Sequence, residues 1–466
     1  MNRNPLSQLS DRAQERLLVG ALSLIALVTR AYGIWEWPVT GDEYYTIMYA
    51  TERASGLVGS AYYALVLLSQ SLFGATPWAA RLPAVVCGVL SVPAFYVMCR
   101  SMLTRRAAVV GALFVVLSEW HLFHSQMARF YSGVFLFGTL SYYFYYLALT
   151  KERYVHVALF FASSLAAVSF HATGIFVVVS CGAYSAFLAW YASGRRVVLS
   201  GSMARVHLSV CVVAAALVSP KLFGIAESWG VGGGGLRLAA LRDVLGVVEN
   251  MEVVVFVSAM LGLLYLYRTD TSTFFLFAFL TLIPLASILA FSVFMPPARP
   301  RYMFYALPLF FALSGLICTE TATGLKHATI ANRSVALVVS AVLLVSFLSY
   351  YLGRESLSIK DPVRFVQAQY EKGDDVFVFG PSARYNFDGA LSVNMVYSKA
   401  LWRQGLVPVA EREGRTWIIV DTYRTAPIRG DLETWLMENA SLKWRKEETR
   451  FDYTQRGYEV WAENVE

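Results

Sequence analysis

The stretch Leu17-Leu-Val-Gly-Ala-Leu-Ser-Leu-Ile-Ala-Leu-Val-Thr-Arg30-Ala-Tyr-Gly-Ile-Trp35, followed by Glu36-Trp-Pro-Val-Thr-Gly-Asp42-Glu43-Tyr-Tyr45, decides how the chain reads. The first part is long enough and apolar enough to cross a bilayer. Two adjacent carboxylates then stand just beyond it, at the far membrane surface. Arg3, Arg12 and Arg16 precede the span and no small-residue cleavage site follows it, so it reads as an uncleaved anchor with a cytoplasmic N-terminus.

The rest of the 466 residues agrees with this start. With 57% apolar and only 15% charged residues, most of the chain must face lipid or other helices, which excludes a soluble globular protein. Ten further spans are expected near Trp78–Arg100, Ala107–Trp120, Tyr131–Leu149, Val155–Phe170, Ala172–Tyr191, Val206–Phe223, Met251–Tyr267, Thr273–Phe294, Tyr302–Thr319 and Val335–Tyr351. Alternating from a cytoplasmic start puts Arg100, Arg105 and Arg106, then Lys151 and Arg153, then Arg195, Arg196 and Arg205, then Arg268, then Lys326 and Arg333 on the inner side. Every basic cluster in a short loop so falls where the positive-inside rule requires. The net charge of +7 thus sets topology in a cell membrane and implies no nucleic-acid partner.

Ala61–Phe73 is apolar but about 13 residues long, below the roughly 17 needed to cross. It is expected to lie on the outer surface within a long first external loop, 36–77. The expected fold is mainly α: a polytopic helical bundle of about eleven spans over 1–352, then a small extracytoplasmic α/β domain over 353–466. In that domain Asp361-Pro362 starts a helix running to about Tyr370 and Gly373 ends it. Asp375-Val-Phe-Val-Phe, Trp417-Ile-Ile-Val and Gly457-Tyr-Glu-Val-Trp read as strands, with a short helix over Leu432–Asn439. Cys87, Cys99, Cys181, Cys211 and Cys318 all sit in apolar segments and suggest packing residues, with neither a disulfide framework nor a metal site.

With this topology the external side collects Asp42 and Glu43, then His121, His124, Gln126 and Arg129, then Lys221 and Glu227, then Arg299 and Arg301. A carboxylate can take a proton from a hydroxyl nucleophile while guanidinium groups hold a leaving phosphate. His121 and His124 share a helical face but lack a third ligand, so hydrogen bonding is favoured over metal binding. Arg30 reads equally as a phosphate ligand or a snorkelling anchor, Lys221 leans towards an anchor, and His171 reads as structural. Gly230-Val-Gly-Gly-Gly-Gly235 has no strand before it and reads as a flexible external loop, not a nucleotide site.

Gly41-Asp42-Glu43-Tyr44, Phe73-Gly74 with Ala80-Arg81-Leu82-Pro83, Leu117-Ser118 through His124-Ser125-Gln126-Met127-Ala128-Arg129-Phe130-Tyr131, and Arg301-Tyr302 through Leu307-Pro308 form an ordered set. Over roughly the first 320 residues the chain resembles the GT-C glycosyltransferases of the protein O-mannosyltransferase and aminoarabinose transferase type. A departure is Val58-Gly-Ser-Ala-Tyr-Tyr63, which lacks the His and the two prolines that many members carry there. The resemblance implies a polyprenyl-phosphate sugar donor; since a phosphate leaves without protonation, one base suffices for an inverting transfer to an external protein, lipid or polysaccharide acceptor, and no cofactor or metal is expected. It implies Asp42 as base, with Glu43 beside it, and Arg129 and Arg301 as phosphate ligands. Tyr131, Tyr302, Arg30, His124 and Lys221 complete the candidate substrate-binding set. The readings from other classes are a multi-pass transporter or flippase and a non-catalytic scaffold; no internal repeat supports transport, and the ionisable residues gather near one surface.

Overall fold

A computed structural model describes residues 11–37, 39, 41–48, 50, 60–194, 201–228, 245–248, 251–294, 300–320, 328–353, 360–379, 393–395, 415–421, 429–450 and 454–463. The Gly230–Gly235 loop, Arg299, the Arg195-Arg196 pair and Lys326 lie outside them. The chain forms two compact units, Met1–Ile34 with Thr51–Leu348, and Trp35–Ala50 with Ser349–Glu466.

The first unit is helical: α1 Asp11–Ala31, then α3 Ser60–Phe73, α4 Pro77–Met102, α5 Arg105–Leu117, α6 Glu119–Ser125, α7 Tyr131–Lys151, α8 Tyr154–Phe170, α9 Ile175–Gly194, α10 Gly201–Ser228, α11 Val253–Thr269, α12 Thr271–Phe294, α13 Leu307–Thr319 and α14 Ala328–Gly353, whose last residues belong to the second unit. Local chemistry sets many of these ends. The Thr76 hydroxyl accepts the Ala79 N–H and Pro77 takes the first helical position, while Thr104 accepts the Ala107 N–H at the start of α5. Asp270 divides α11 from α12, its carboxylate accepting the Thr273 N–H at 3.1 Å and the Thr273 hydroxyl at 2.6 Å. Those bonds hold the Asp270 carboxyl below the usual range.

Several buried hydroxyls are satisfied within the bundle. Ser91 and Thr139 return to carbonyls one turn back, Ser141 donates to Ser163 across α7 and α8, and Ser258 meets Ser314 at 2.5 Å. The outer faces are apolar; on α14, Leu337 and Val345 are 71% and 62% exposed, as a lipid-facing surface requires.

Among the described residues three helices, Pro77–Met102, Ala172–Tyr191 and Ser334–Leu352, are long and apolar enough to cross a membrane. Several other apolar helices, including Tyr154–Phe170 and Val253–Thr269, are shorter. The expected span Ala107–Trp120 is not continuous: α5 and α6 meet at Ser118 with a 59° bend. The Ser118 hydroxyl accepts the His121 N–H, capping a new helix where sequence pattern alone continues the old one. Likewise the segments expected to start at Ala172 and Tyr302 open with 3-10 turns, Ala172–Gly174 and Pro300–Met303.

In the second unit a mixed five-stranded sheet has the order β2-β1-β3-β5-β4, with β1 Asp375–Phe379, β2 Val393–Met395, β3 Thr416–Asp421, β4 Ala440–Arg450 and β5 Thr454–Glu463. β1 pairs in parallel with β2 and β3, and β5 runs antiparallel to β3 and β4. Residues alternate between faces: Val376, Val378, Trp417, Ile419 and Val460 pack with Val363 and Val366 of α15 Lys360–Gln367. Phe377, Phe379, Ile418, Val420 and Trp461 pack with Leu436 of α16 Arg429–Asn439. Asp374 is 6% exposed, and its carboxylate accepts the Glu371 and Arg415 N–H groups and the Trp417 indole N–H at 2.9–3.1 Å. The helix after Asp361 stops earlier than its pattern suggests, at Gln367, and β4 is a strand the sequence reading omitted.

Candidate functional site

In the second unit the acidic pair is in a helix, not a loop. Asp42 and Glu43 occupy the first turn of α2, Gly41–Met48, where negative charge complements unpaired N–H groups. Glu43 is buried and Asp42 half-buried. In the same unit Trp37 packs edge-on against Tyr350, ring centroids 5.8 Å apart.

In the first unit the segment Gln126–Phe130, between α6 and α7, is fastened on two sides. Gln126 Nε2 donates to the Thr29 and Tyr32 carbonyls at 2.8 and 3.1 Å, which satisfies the carbonyl end of α1. Arg30, wholly buried, donates from Nη2 to the Val115 carbonyl at 2.9 Å and lies 2.9 Å from His121 Nδ1. It therefore braces α1 against α5 and α6 rather than snorkelling. Gly88 makes room for this junction, since a Cβ there would meet Ser125 Oγ at 2.3 Å.

Fastened this way, the segment presents Arg129 and Tyr131 beside the 3-10 turn Pro300–Met303. The Arg129 guanidinium carbon lies 4.6 Å from the Phe130 ring centroid, and that of Arg301 5.9 Å from the Tyr131 centroid. His124 is buried against Tyr131 at 4.7 Å and Phe304 at 4.9 Å. His171 stacks on Phe130 at 4.3 Å with 17° between planes, and Tyr302 stands 5.6 Å from His171. Phe304, wholly buried, also reaches Trp120 and His121 and closes the patch from below.

Of the candidate residues, Arg129, Tyr131, Arg301, Tyr302 and His124 thus meet in one cation-aromatic patch, with Arg30 behind it through His121. Asp42 and Glu43 belong to the other unit. Lys221 lies in α10, with its side chain outside the described residues. Sequence reasoning passed over Phe130 and Phe304, whose roles depend on contacts across the bundle, and left His171 as structural. It also passed over Glu252, ahead of α11: its φ is +58° and, among the described residues, buried Oε2 has no hydrogen-bond partner. Among the described residues no three of His, Cys, Asp and Glu gather into a metal-binding group.

The fold is that of the GT-C membrane glycosyltransferases. The chain is similar to ArnT from Cupriavidus metallidurans bound to undecaprenyl phosphate, at 13% identity over 97% of this chain and 98% of that one, with a TM-score of 0.58. It is similar to the oligosaccharyltransferase AglB from Archaeoglobus fulgidus in complex with an inhibitory peptide and a dolichol-phosphate, at 12% identity over 95% of this chain and 74% of that one, with a TM-score of 0.56. Residues 60–223 match the family of dolichyl-phosphate-mannose-protein mannosyltransferases. No curated protein sequence matches the chain. The partial family match and the fold together point to a membrane protein with the architecture of the GT-C glycosyltransferases.

Proposed function

We propose that the protein transfers a sugar from a polyprenyl-phosphate carrier to an extracytoplasmic acceptor by a single inverting displacement. One observation carries this reading: Arg129 and Arg301, distant in sequence, both lie over adjoining rings of one aromatic patch. Two guanidinium groups there suit a phosphate, and the rings suit the apolar face of a sugar or the first prenyl units. Solved relatives of the same fold hold undecaprenyl phosphate and dolichol-phosphate.

In this mechanism the acceptor heteroatom bonds to the anomeric carbon as the carbon–oxygen bond to phosphate breaks. The electron pair leaves with the polyprenyl phosphate, whose charge Arg129 and Arg301 hold, so that group needs no proton. The acceptor proton passes to Asp42, assigned as base on the sequence resemblance, with Glu43 beside it. In this reading the eleven spans expected from the sequence would put donor and acceptor on the external side, with the C-terminal domain there too.

Asp42→Asn keeps size but removes proton affinity. Release of polyprenyl phosphate from a labelled polyprenyl-phosphate sugar is expected to slow by about 100-fold or more, with donor binding retained. A variant that keeps more than about a tenth of the rate removes Asp42 from the role.

A further inference from the structure

Glu252 immediately precedes α11, and its φ of +58° is a costly conformation for a residue with a side chain. Its carbonyl accepts the Val255 and Phe256 N–H groups at 2.9 and 3.3 Å, which pins the residue to the start of that helix. From there its carboxyl crosses to the bend between α5 and α6, where it accepts the Glu119 N–H and comes within electrostatic reach of the Glu119 carboxylate. Part of the residue is exposed, but Oε2 is enclosed and, among the described residues, has no hydrogen-bond partner. The helices packed along α11 bring no cation to it. α12 has no ionisable residue and α13 only Cys318. Phe256 stacks on Phe310 and Ser258 meets Ser314, so α13 runs parallel to α11 and Cys318 lies towards the end away from Glu252.

An ionised carboxylate with an enclosed oxygen, facing a second carboxylate, is disfavoured twice, by lost hydration and by like charge. One main-chain N–H does not offset both, so the carboxyl keeps its proton. We propose that Glu252 is a positioning residue that works as a neutral carboxylic acid: it ties α11 to α6 below the cation-aromatic patch, and loss of its proton loosens the tie. α6 carries Trp120, 5.2 Å from Phe304, and His124, 4.7 Å from Tyr131, so the way it is seated is passed directly to the patch. The consequence for donor binding rests on the phosphate-clamp reading above; the tie itself does not.

The full chain, purified in detergent, tests this through Glu252→Gln, which keeps an oxygen for the Glu119 N–H and cannot ionise. A proton held more tightly by the folded chain than by the unfolded one contributes stability at acid pH. That contribution declines as pH rises and levels off once the group ionises, at about pH 8–9 for documented buried Glu residues. The unfolding temperature of the wild type is therefore expected to fall relative to that of Glu252→Gln between about pH 6 and pH 9, and to match it at the acid end. Glu119→Gln, which removes the facing charge, is expected to shrink this decline and end it at lower pH. Parallel profiles for wild type and Glu252→Gln, or a Glu252→Gln variant that is less stable at neutral pH or does not fold, would overturn the proposal. Undecaprenyl phosphate is expected to bind Glu252→Gln about fivefold more tightly than wild type at about pH 9, and equally at about pH 6. Equal binding at both, with diverging unfolding profiles, overturns the positioning role. Unchanged binding in both Arg129→Lys and Arg301→Lys defeats the clamp instead, on which the unfolding profiles do not depend.

Discussion

The junction of α1 with α4, α5 and α6 and the patch around Tyr131 both contain two arginines, and they use them in opposite ways. At the junction Arg30 and Arg81 are enclosed, at 0% and 1% exposure, and their N–H groups reach main-chain carbonyls, Val115 O at 2.9 Å and Ile34 O at 2.7 Å. In the patch Arg129 and Arg301 are half-buried and lie over rings. A carbonyl contact consumes donors and fixes the backbone that supplies it. A ring contact positions a guanidinium by its flat face. One pair thus ties main-chain carbonyls together, and the other lies against the aromatic patch.

The sharpest way to break this comparison is Arg30→Met. Removing the guanidinium strips the Val115 carbonyl and His121 of a buried donor, and detergent-solubilised protein is expected to lose on the order of 3 kcal/mol of stability. Arg129→Met, by contrast, should leave the melting temperature within about a degree or two of wild type. Equal losses in thermal unfolding would erase the distinction.

Gly88→Ala tests the junction from the other helix. Its methyl would press on Ser125 Oγ, and an overpacked site of this kind costs about 1–3 kcal/mol. A melting curve identical to wild type would mean that the contact relaxes at no cost, and that the brace is looser than its geometry suggests.

A smaller effect is expected for Arg129→Lys and Arg301→Lys, which keep the charge and lose the planar fork. Affinity for a polyprenyl-phosphate sugar, read by equilibrium binding, should fall about tenfold in each with no change in unfolding temperature. A drop in stability without a drop in affinity would move these two residues into the structural class.

The smallest effect concerns Glu15, ahead of the first span. The Tyr96 hydroxyl bonded to its carboxylate, then the Arg100 and Arg105 charges, hold this acid below the ordinary range; Arg100 Nε is 3.4 Å away. A depressed acid contributes stability that is present above its unfolded value, near pH 4.5, and is lost as pH falls through the folded one. Tyr96→Phe should lower stability at neutral pH slightly, leave the most acidic end nearly unchanged, and so flatten the profile below about pH 4.5. An unaltered acid limb would show that the Tyr96 bond does not set this titration.

Much of the second unit could be read directly from its residues. Asp375-Val-Phe-Val-Phe and Trp417-Ile-Ile-Val are apolar on both faces, as strands covered by a helix on each side must be, and each is a strand. β4 escaped because Lys443-Trp-Arg-Lys-Glu-Glu448 lacks alternation. The break at Ser118 escaped for a related reason: His121 stands where a capping box would carry Glu or Gln, and apolar residues continue on both sides. For the candidate site, Arg129-Phe-Tyr131 and Arg301-Tyr302 were visible as local pairs. Their convergence with His171 and Phe304 was not, since it depends on how helices far apart in the chain pack together.

Among the described residues β4 lies at one end of the sheet order, paired with β5 alone. Many copies of a membrane protein share a two-dimensional surface, where local concentration is high and an apolar strand edge would zip neighbours together. The sequence of β4 carries Lys443, Arg445, Lys446, Glu447 and Glu448, and the ladder shifts register between Leu442 and Trp444. Both features discourage the addition of another strand. The run of residues that hides β4 from pattern reading thus also suits a strand at the end of a sheet.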